Sequence, residues 1–255
     1  MYFNPFEPLD YEKIILERQI TNQDSVISEF STKGMKEKIE NYAKSSGLNK
    51  RFVRMKALSD AAYCYRFAKP SNKQNIYETL AINYIKRFPI IKKAHKLSPS
   101  GSNSKFIYNG KITKYSELPN KEGEKEEKDK PHKSIDFYWQ YTFLGRTVEF
   151  YATHKYTKEA GGSQDHQKDE AEKFLKNAKM SRDPDLFFFA ILDGPYYENK
   201  SFSEFKNYDH ISICTINELF PIILSKIENW LKTNFKETEI KSELAKLKAY
   251  EIKAA

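Results

Sequence analysis

Residues 186–192, Leu-Phe-Phe-Phe-Ala-Ile-Leu, form an unbroken apolar run closed by Asp183-Pro184 on one side and Asp193-Gly194 on the other. Seven such residues between turn formers have no polar face to offer to water. They are expected to form a strand covered on both sides, at the centre of a sheet with helices on each face. The segments around it fit that layout. Residues 135–143 and 147–156 read as two strands joined by Leu144-Gly145-Arg146, 167–178 as a helix, 211–216 as a strand, about 217–232 as a helix, and the charged tail from Glu237 as a last helix.

The first 95 residues read mostly as helix. Residues 35–42 are amphipathic, residues 52–67 form a second stretch ended by Pro70, and Pro70-Ser71-Asn72 looks like the start of a helix running to Ile85. Residues 97–104 are a loop by composition. Residues 106–112 carry a hairpin signal with Asn109-Gly110 at the turn, and the charged run 121–133 is expected to be a surface loop. The expected organisation is a helical N-terminal region (1–95) packed on the core, a hairpin and charged loop (96–134), and an α/β core (135–255). No internal repeat is present.

The chain of 255 residues is long enough for a sizeable core, and no window approaches the roughly 18 apolar residues of a membrane span. The N-terminal MYFNPFEPLDYEK lacks the basic and apolar regions of a secretory signal. Cys64 and Cys214 make neither a disulfide framework nor a zinc site, so a cytoplasmic location and no membrane partner are expected. Lys and Arg total 43 against 35 for Asp and Glu, a net charge of +8, which favours a polyanionic partner. The abundance of Asn, Ile and Tyr offers a blander source for the lysines, an AT-rich coding sequence.

The chemistry-bearing segment is 135–167. Asp136 opens one strand, Lys155 comes late on the next, and Gly161-Gly162-Ser163-Gln164 follows. Metal-dependent phosphodiester cleavage needs carboxylates that hold Mg²⁺ and a lysine that orients or neutralises the attacking water. A hairpin centred on 144–146 makes opposing positions sum to about 290. Asp136 then faces Thr153 to Lys155. Glu149 faces about Tyr141, roughly 13 Å along the strand from that site, and lies roughly 20 Å from Lys155, so it ranks only as a fallback metal ligand. His154 points to the other side of the strand from Thr153 and Lys155, and with His166 it makes only a weak zinc signal. No Gly-x-Ser-x-Gly elbow, Walker loop or dinucleotide fingerprint occurs.

In these residues the chain resembles restriction endonucleases of the PD-(D/E)XK superfamily. They place an acid at the start of one hairpin strand and an acid-x-lysine on its partner. Ile135-Asp136 and Thr153-His154-Lys155 occupy those places here, with Thr153 where the family carries Asp or Glu. Lys155-Tyr156 followed by Gly161-Gly162-Ser163-Gln164, and the strand ending Leu192-Asp193-Gly194-Pro195-Tyr196-Tyr197, are similar to the GATC-cutting group. The resemblance covers about residues 135–216. It implies a central mixed sheet flanked by helices, a helical N-terminal region, and Mg²⁺-dependent, site-specific cleavage of double-stranded DNA. It also implies a homodimer and a cognate DNA methyltransferase as genetic partner. Asp136 would hold the metal, Lys155 would handle the water, and Glu78, on the helix before the core, is the candidate for the acid missing at Thr153. Gly161, Gly162, Ser163, Gln164 and Gln167, with Lys73 and Gln74, are the candidate DNA contacts. Two other readings stay open: a nuclease-like protein that binds nucleic acid without cutting, and a structure-specific repair nuclease.

Overall fold

The structure, a computed structural model, describes residues 7–68, 76–101, 104–118, 134–158, 162–198 and 200–254. The expected helix start at 70–72, Lys73, Gln74, the charged run 121–133 and Gly161 lie outside the described residues. The chain divides into two compact units, Asp10–Tyr77 and a larger one made of Met1–Leu9 with Glu78–Ala255.

The smaller unit is helical. Helices α1 (Tyr11–Ser28), α2 (Lys33–Ser46), α3 (Lys50–Ser59) and α4 (Ala61–Cys64) are each opened by a side chain that accepts a backbone N–H: Asp10, Thr32, Asn49 and Asp60. Their inward faces meet in a core of Val26, Phe30, Met35, Ile39, Ala43, Val53, Ala57, Cys64 and Phe67. The single helical stretch expected over 52–67 is two helices. Asp60 adopts an extended conformation (φ −132°, ψ 111°) and turns its carboxylate onto the N–H of Tyr63, so α3 stops and α4 starts there.

Helix α5 (Ile76–Ile85) leads into the larger unit, whose strands are β1 (Lys92–Lys96), β2 (Lys105–Tyr108), β3 (Lys111–Lys114), β4 (Phe137–Phe143), β5 (Arg146–Tyr156), β6 (Leu186–Asp193) and β7 (Ile211–Cys214). Helix α6 (Gly162–Ala178) connects β5 to β6, the short α7 (Pro195–Glu198) follows β6, and α8 (Leu219–Asn234) and α9 (Glu237–Ala254) close the chain. Five strands form one mixed sheet in the order β1-β4-β5-β6-β7. The first two pairings are antiparallel and the last two parallel, while β2 and β3 form a separate hairpin. The chain is therefore α/β, with the apolar run 186–192 as an inner strand between β5 and β7. No helix among the described residues is long and apolar enough to cross a membrane.

Alternation along the strands sorts the two faces. Tyr138, Tyr151, Phe188, Ala190 and Leu192 pack against Ala171, Phe174, Leu175 and Ala178 of α6. The opposite face stacks Trp139 on Phe150, with Phe189 tilted against it, and Tyr141 meets Trp230 of α8 edge-on. Burying each of these large side chains contributes roughly 1.5–3 kcal/mol. At the far end of the sheet Asp185 accepts two Arg146 N–H groups and the Trp230 indole N–H at 2.7 Å, which pins α8 to the sheet.

One strand lies where mostly helix is expected and another stops short, each for an identifiable reason. Strand β1, Lys-Lys-Ala-His-Lys, has no buried residue and no apolar signature, because it is an edge strand held by backbone pairing to β4. Strand β7 ends at Cys214 rather than Ile216, because the Ile216 N–H turns to the Asp193 carboxylate at 2.8 Å.

Candidate active site

The β4–β5 hairpin closes through Leu144 (φ 46°) and Gly145 (φ 82°). Two successive positive φ values make a two-residue turn whose twist suits the flanking strands, and glycine takes the second position without strain. This tight turn fixes the register: Phe137 lies opposite Ala152 and Gln140 opposite Glu149, one step from the Tyr141 partner expected for Glu149. Continuing the ladder puts Asp136 opposite Thr153, and the Asp136 N–H donates to the Ala152 carbonyl at 2.9 Å.

Asp136 is held from the partner strand. Its Oδ2 accepts the Thr153 hydroxyl at 3.0 Å and the His154 backbone N–H at 2.9 Å. Neither contact uses Oδ1, which has no hydrogen bond among the described residues. Lys155, two residues on, shares the Thr153 face. Its Nζ donates to Glu170 Oε2 of α6 at 2.7 Å. Burial, the largest single influence, pulls the Lys155 ammonium down. The charges of Asp136, Glu170 and Glu78 together outweigh it, so its pKa lies above the ordinary lysine value. Glu78 of α5 pairs with Lys96 of β1 at 2.5 Å, and its charge adds to those that raise the Lys155 pKa.

The cluster grades from a buried floor to a wet rim. The Lys155 side chain is 9% exposed, Glu78 27% and Glu170 38%. It lies where β5 and β6 end, the end of parallel strands at which ligands of open α/β sheets bind. The floor is sealed from behind. His154 points to the opposite face, into the interior rather than toward solvent, and its Nε2 is 3.0 Å from Asp193 Oδ2. Asp193 is thus engaged by His154 and by the Ile216 N–H. Its neighbour Gly194, at φ 97°, places the next turn hard against the Thr157 carbonyl, 2.3 Å from where a Cβ would stand.

The remaining sequence candidates are placed as follows. Glu149 accepts the hydroxyls of Tyr138 at 2.7 Å and Tyr151 at 3.3 Å, well down the strand from Asp136. Gly162, Ser163 and Gln164 are the opening residues of α6, which starts five residues earlier than its apolar periodicity suggests. Gln167, one turn on, accepts the Thr157 hydroxyl at 2.9 Å. His166 is exposed on the same helix. The residue that sequence reasoning missed is Glu170. Helical spacing puts it one turn before Phe174 and one after Gln167, on the edge of the stripe that packs on the sheet. That spacing was the available signal.

The oxygen donors suit a hard cation: the open Oδ1 of Asp136 and the rim carboxylates of Glu170 and Glu78. Among the described residues no group of three or more His, Cys, Asp or Glu is arranged to hold a metal ion by itself. Mg²⁺ commonly keeps several waters and takes only one or two carboxylates, so the donor set fits that ion. A separate cavity of about 420 Å³, lined by Phe187, Asp209, Lys226, Asn229, Trp230 and Thr233 among others, opens at the other end of β6. Comparison with protein-family models, curated proteins and solved structures finds no match for this chain.

Proposed function

We propose that the chain is a Mg²⁺-dependent type II restriction endonuclease with a PD-(D/E)XK-like core, hydrolysing phosphodiester bonds of double-stranded DNA at a specific site. One observation carries the reading: Asp136 and Lys155 share one face of an antiparallel hairpin at the ligand-binding end of the sheet, with Glu78 and Glu170 at the rim. The net charge of +8 suits the partner.

Asp136, with Glu170 or Glu78, would hold the ion. A bound Mg²⁺ supplies charge stabilisation at the phosphate and lowers the pKa of a water. The protein's own part follows from its contacts. Thr153 and the His154 N–H fix one oxygen of Asp136 and leave the other to the ligand. Lys155, kept charged by three carboxylates, presents an ammonium to a phosphate oxygen or to the attacking water. Glu170 holds that ammonium in place until a substrate competes for it.

Purified protein incubated with supercoiled plasmid and Mg²⁺ should give discrete fragments. A smear points instead to cleavage irrespective of sequence, and preferential cutting of branched or damaged duplex to a repair nuclease. No cleavage with Mg²⁺, Mn²⁺ or Co²⁺ overturns the enzymatic reading. A cytoplasmic homodimer beside a methyltransferase gene belongs to the same proposal, because palindromic sites favour two-fold symmetry.

Thr153 favours a second reading, a nuclease-like protein that binds DNA without cutting it. Its buried hydroxyl donates to Asp136 from the position an acid would take. Binding that survives Asp136→Ala, with no cleavage by the parent protein, selects this reading.

A further inference from the structure

Helices α2 and α3 are joined by only Gly47-Leu48-Asn49. Gly47 (φ 67°) ends α2, the Leu48 N–H returns to the Ala43 carbonyl at 3.0 Å, and Asn49 caps α3 through the N–H of Arg51 at 2.8 Å. Lys50 then reaches back to Glu40 of α2 at 2.7 Å. A short turn containing glycine is the connection that a helix-turn-helix uses, and α2 and α3 share it. The Val53 and Ala57 face of α3 is buried in the core that α1, α2 and α4 complete.

The opposite face of α3 is left uncovered by the described residues. At 100° per residue, Arg51, Met55 and Leu58 point away from Val53 and Ala57, flanked by Phe52 and Arg54. Met55 is 62% exposed, Leu58 53% and Phe52 47%. The helix carries Lys50, Arg51, Arg54 and Lys56 and no acid. Lys50 is taken by Glu40, Lys56 lies 3.9 Å from Asp60, and the Arg54 guanidinium lies over Phe30. The Arg51 guanidinium has no partner among the described residues. A ridge with cations at its N-terminal end and exposed methyl-bearing side chains beyond suits a surface that offers phosphates, guanine edges and thymine methyls, which is the major groove.

We propose that α3 enters the major groove of duplex DNA, with Arg51 as its base-reading side chain and Met55 and Leu58 as apolar base contacts. Asp10–Tyr77 is then the sequence-reading part of the enzyme. This inference deepens the nuclease reading and rests on it for the identity of the polyanion.

The test uses the full chain in EDTA, so that binding is measured without cleavage. Selection from duplexes with a randomised centre should enrich one motif. Arg51→Ala should cut the preference for that motif over random duplex by about tenfold to a hundredfold. Arg51→Lys should keep the affinity for random duplex while losing most of the preference, because it keeps the charge but not the two-pronged donor. Far-UV circular dichroism checks that the exposed substitutions leave the fold intact. An enriched motif unchanged by Arg51→Ala and Met55→Glu overturns the proposal, and so does the absence of any DNA binding. If Met55→Glu splits a dimer into monomers while DNA preference is unchanged, the face is a protein interface and the proposal falls. Discrete plasmid cutting with an Arg51-independent preference leaves the nuclease standing without α3. Arg51-dependent preference without cutting leaves α3 standing without the nuclease.

Discussion

The Thr153 hydroxyl lies 3.0 Å from Asp136 Oδ2 across the β4–β5 hairpin and donates to it, so a neutral side chain supports the carboxylate where a second carboxylate would repel it. Thr153→Val keeps the shape and removes the donor. It should lower stability by about 1.5–3 kcal/mol, the range for a hydrogen bond to a charged group, as measured by urea unfolding.

Asp136→Asn should leave the fold in place, because the amide still accepts from Thr153 and His154. Cleavage should fall at least about a hundredfold, in line with the loss of one preorganised electrostatic contributor. DNA binding in EDTA should change little. An Asn variant that still cuts at the parental rate removes Asp136 from the chemistry.

Glu170→Gln separates holding from charge. The amide can still accept from Lys155 but no longer stabilises the ammonium or a cation. Cleavage should fall, and the Mg²⁺ concentration needed for half-maximal rate should rise several-fold. Glu149→Gln, whose parent side chain serves two tyrosine hydroxyls further down the strand, should leave that Mg²⁺ dependence unmoved.

The fold was legible where burial is uniform or periodic. The apolar run 186–192 required an inner strand, and Leu144-Gly145-Arg146 marked a hairpin whose register counting placed to within one residue, because the turn closes on two residues rather than three. Strand β1 was not legible, because Lys92–Lys96 owes its place to backbone pairing at an edge and not to side chains. Nor was the stop at Asp60, where a capping carboxylate outcompetes a continuous amphipathic pattern. At the site, Asp136 and Lys155 could be placed together from strand alternation. Glu170 could not, because its contact with Lys155 depends on how α6 lies across the sheet.

The Lys155 ammonium gives stability a definite pH dependence. Its folded pKa lies above the ordinary value of 10.5, because the nearby carboxylates outweigh the opposing effect of burial. The folded state therefore holds the proton more tightly than the unfolded one. That contribution is fully present below about pH 10.5 and is lost as pH rises through the higher folded value. The stability difference between the parent and Lys155→Met should be flat through neutral pH and shrink only in the alkaline range. A difference that already shrinks near pH 8 would mean that the three carboxylates do not hold the charge.

Gly194 links the end of β6 to the end of β5, and a pair of alanine substitutions isolates how. At Gly194 (φ 97°) a new Cβ would stand 2.3 Å from the Thr157 carbonyl oxygen, so either the backbone of Thr157 or the turn after β6 must move. At Gly145 (φ 82°) a Cβ meets nothing within 4 Å, so only the conformational strain remains. Gly145→Ala should cost about 1–2 kcal/mol. Gly194→Ala should cost more, about 2 kcal/mol or above, because overpacking adds to the strain. It should also lower cleavage in proportion greater than its loss of stability, since Thr157 lies two residues beyond Lys155 and carries the contact to Gln167. Equal losses in the two variants would show that the close approach of β6 to Thr157 does not hold the site.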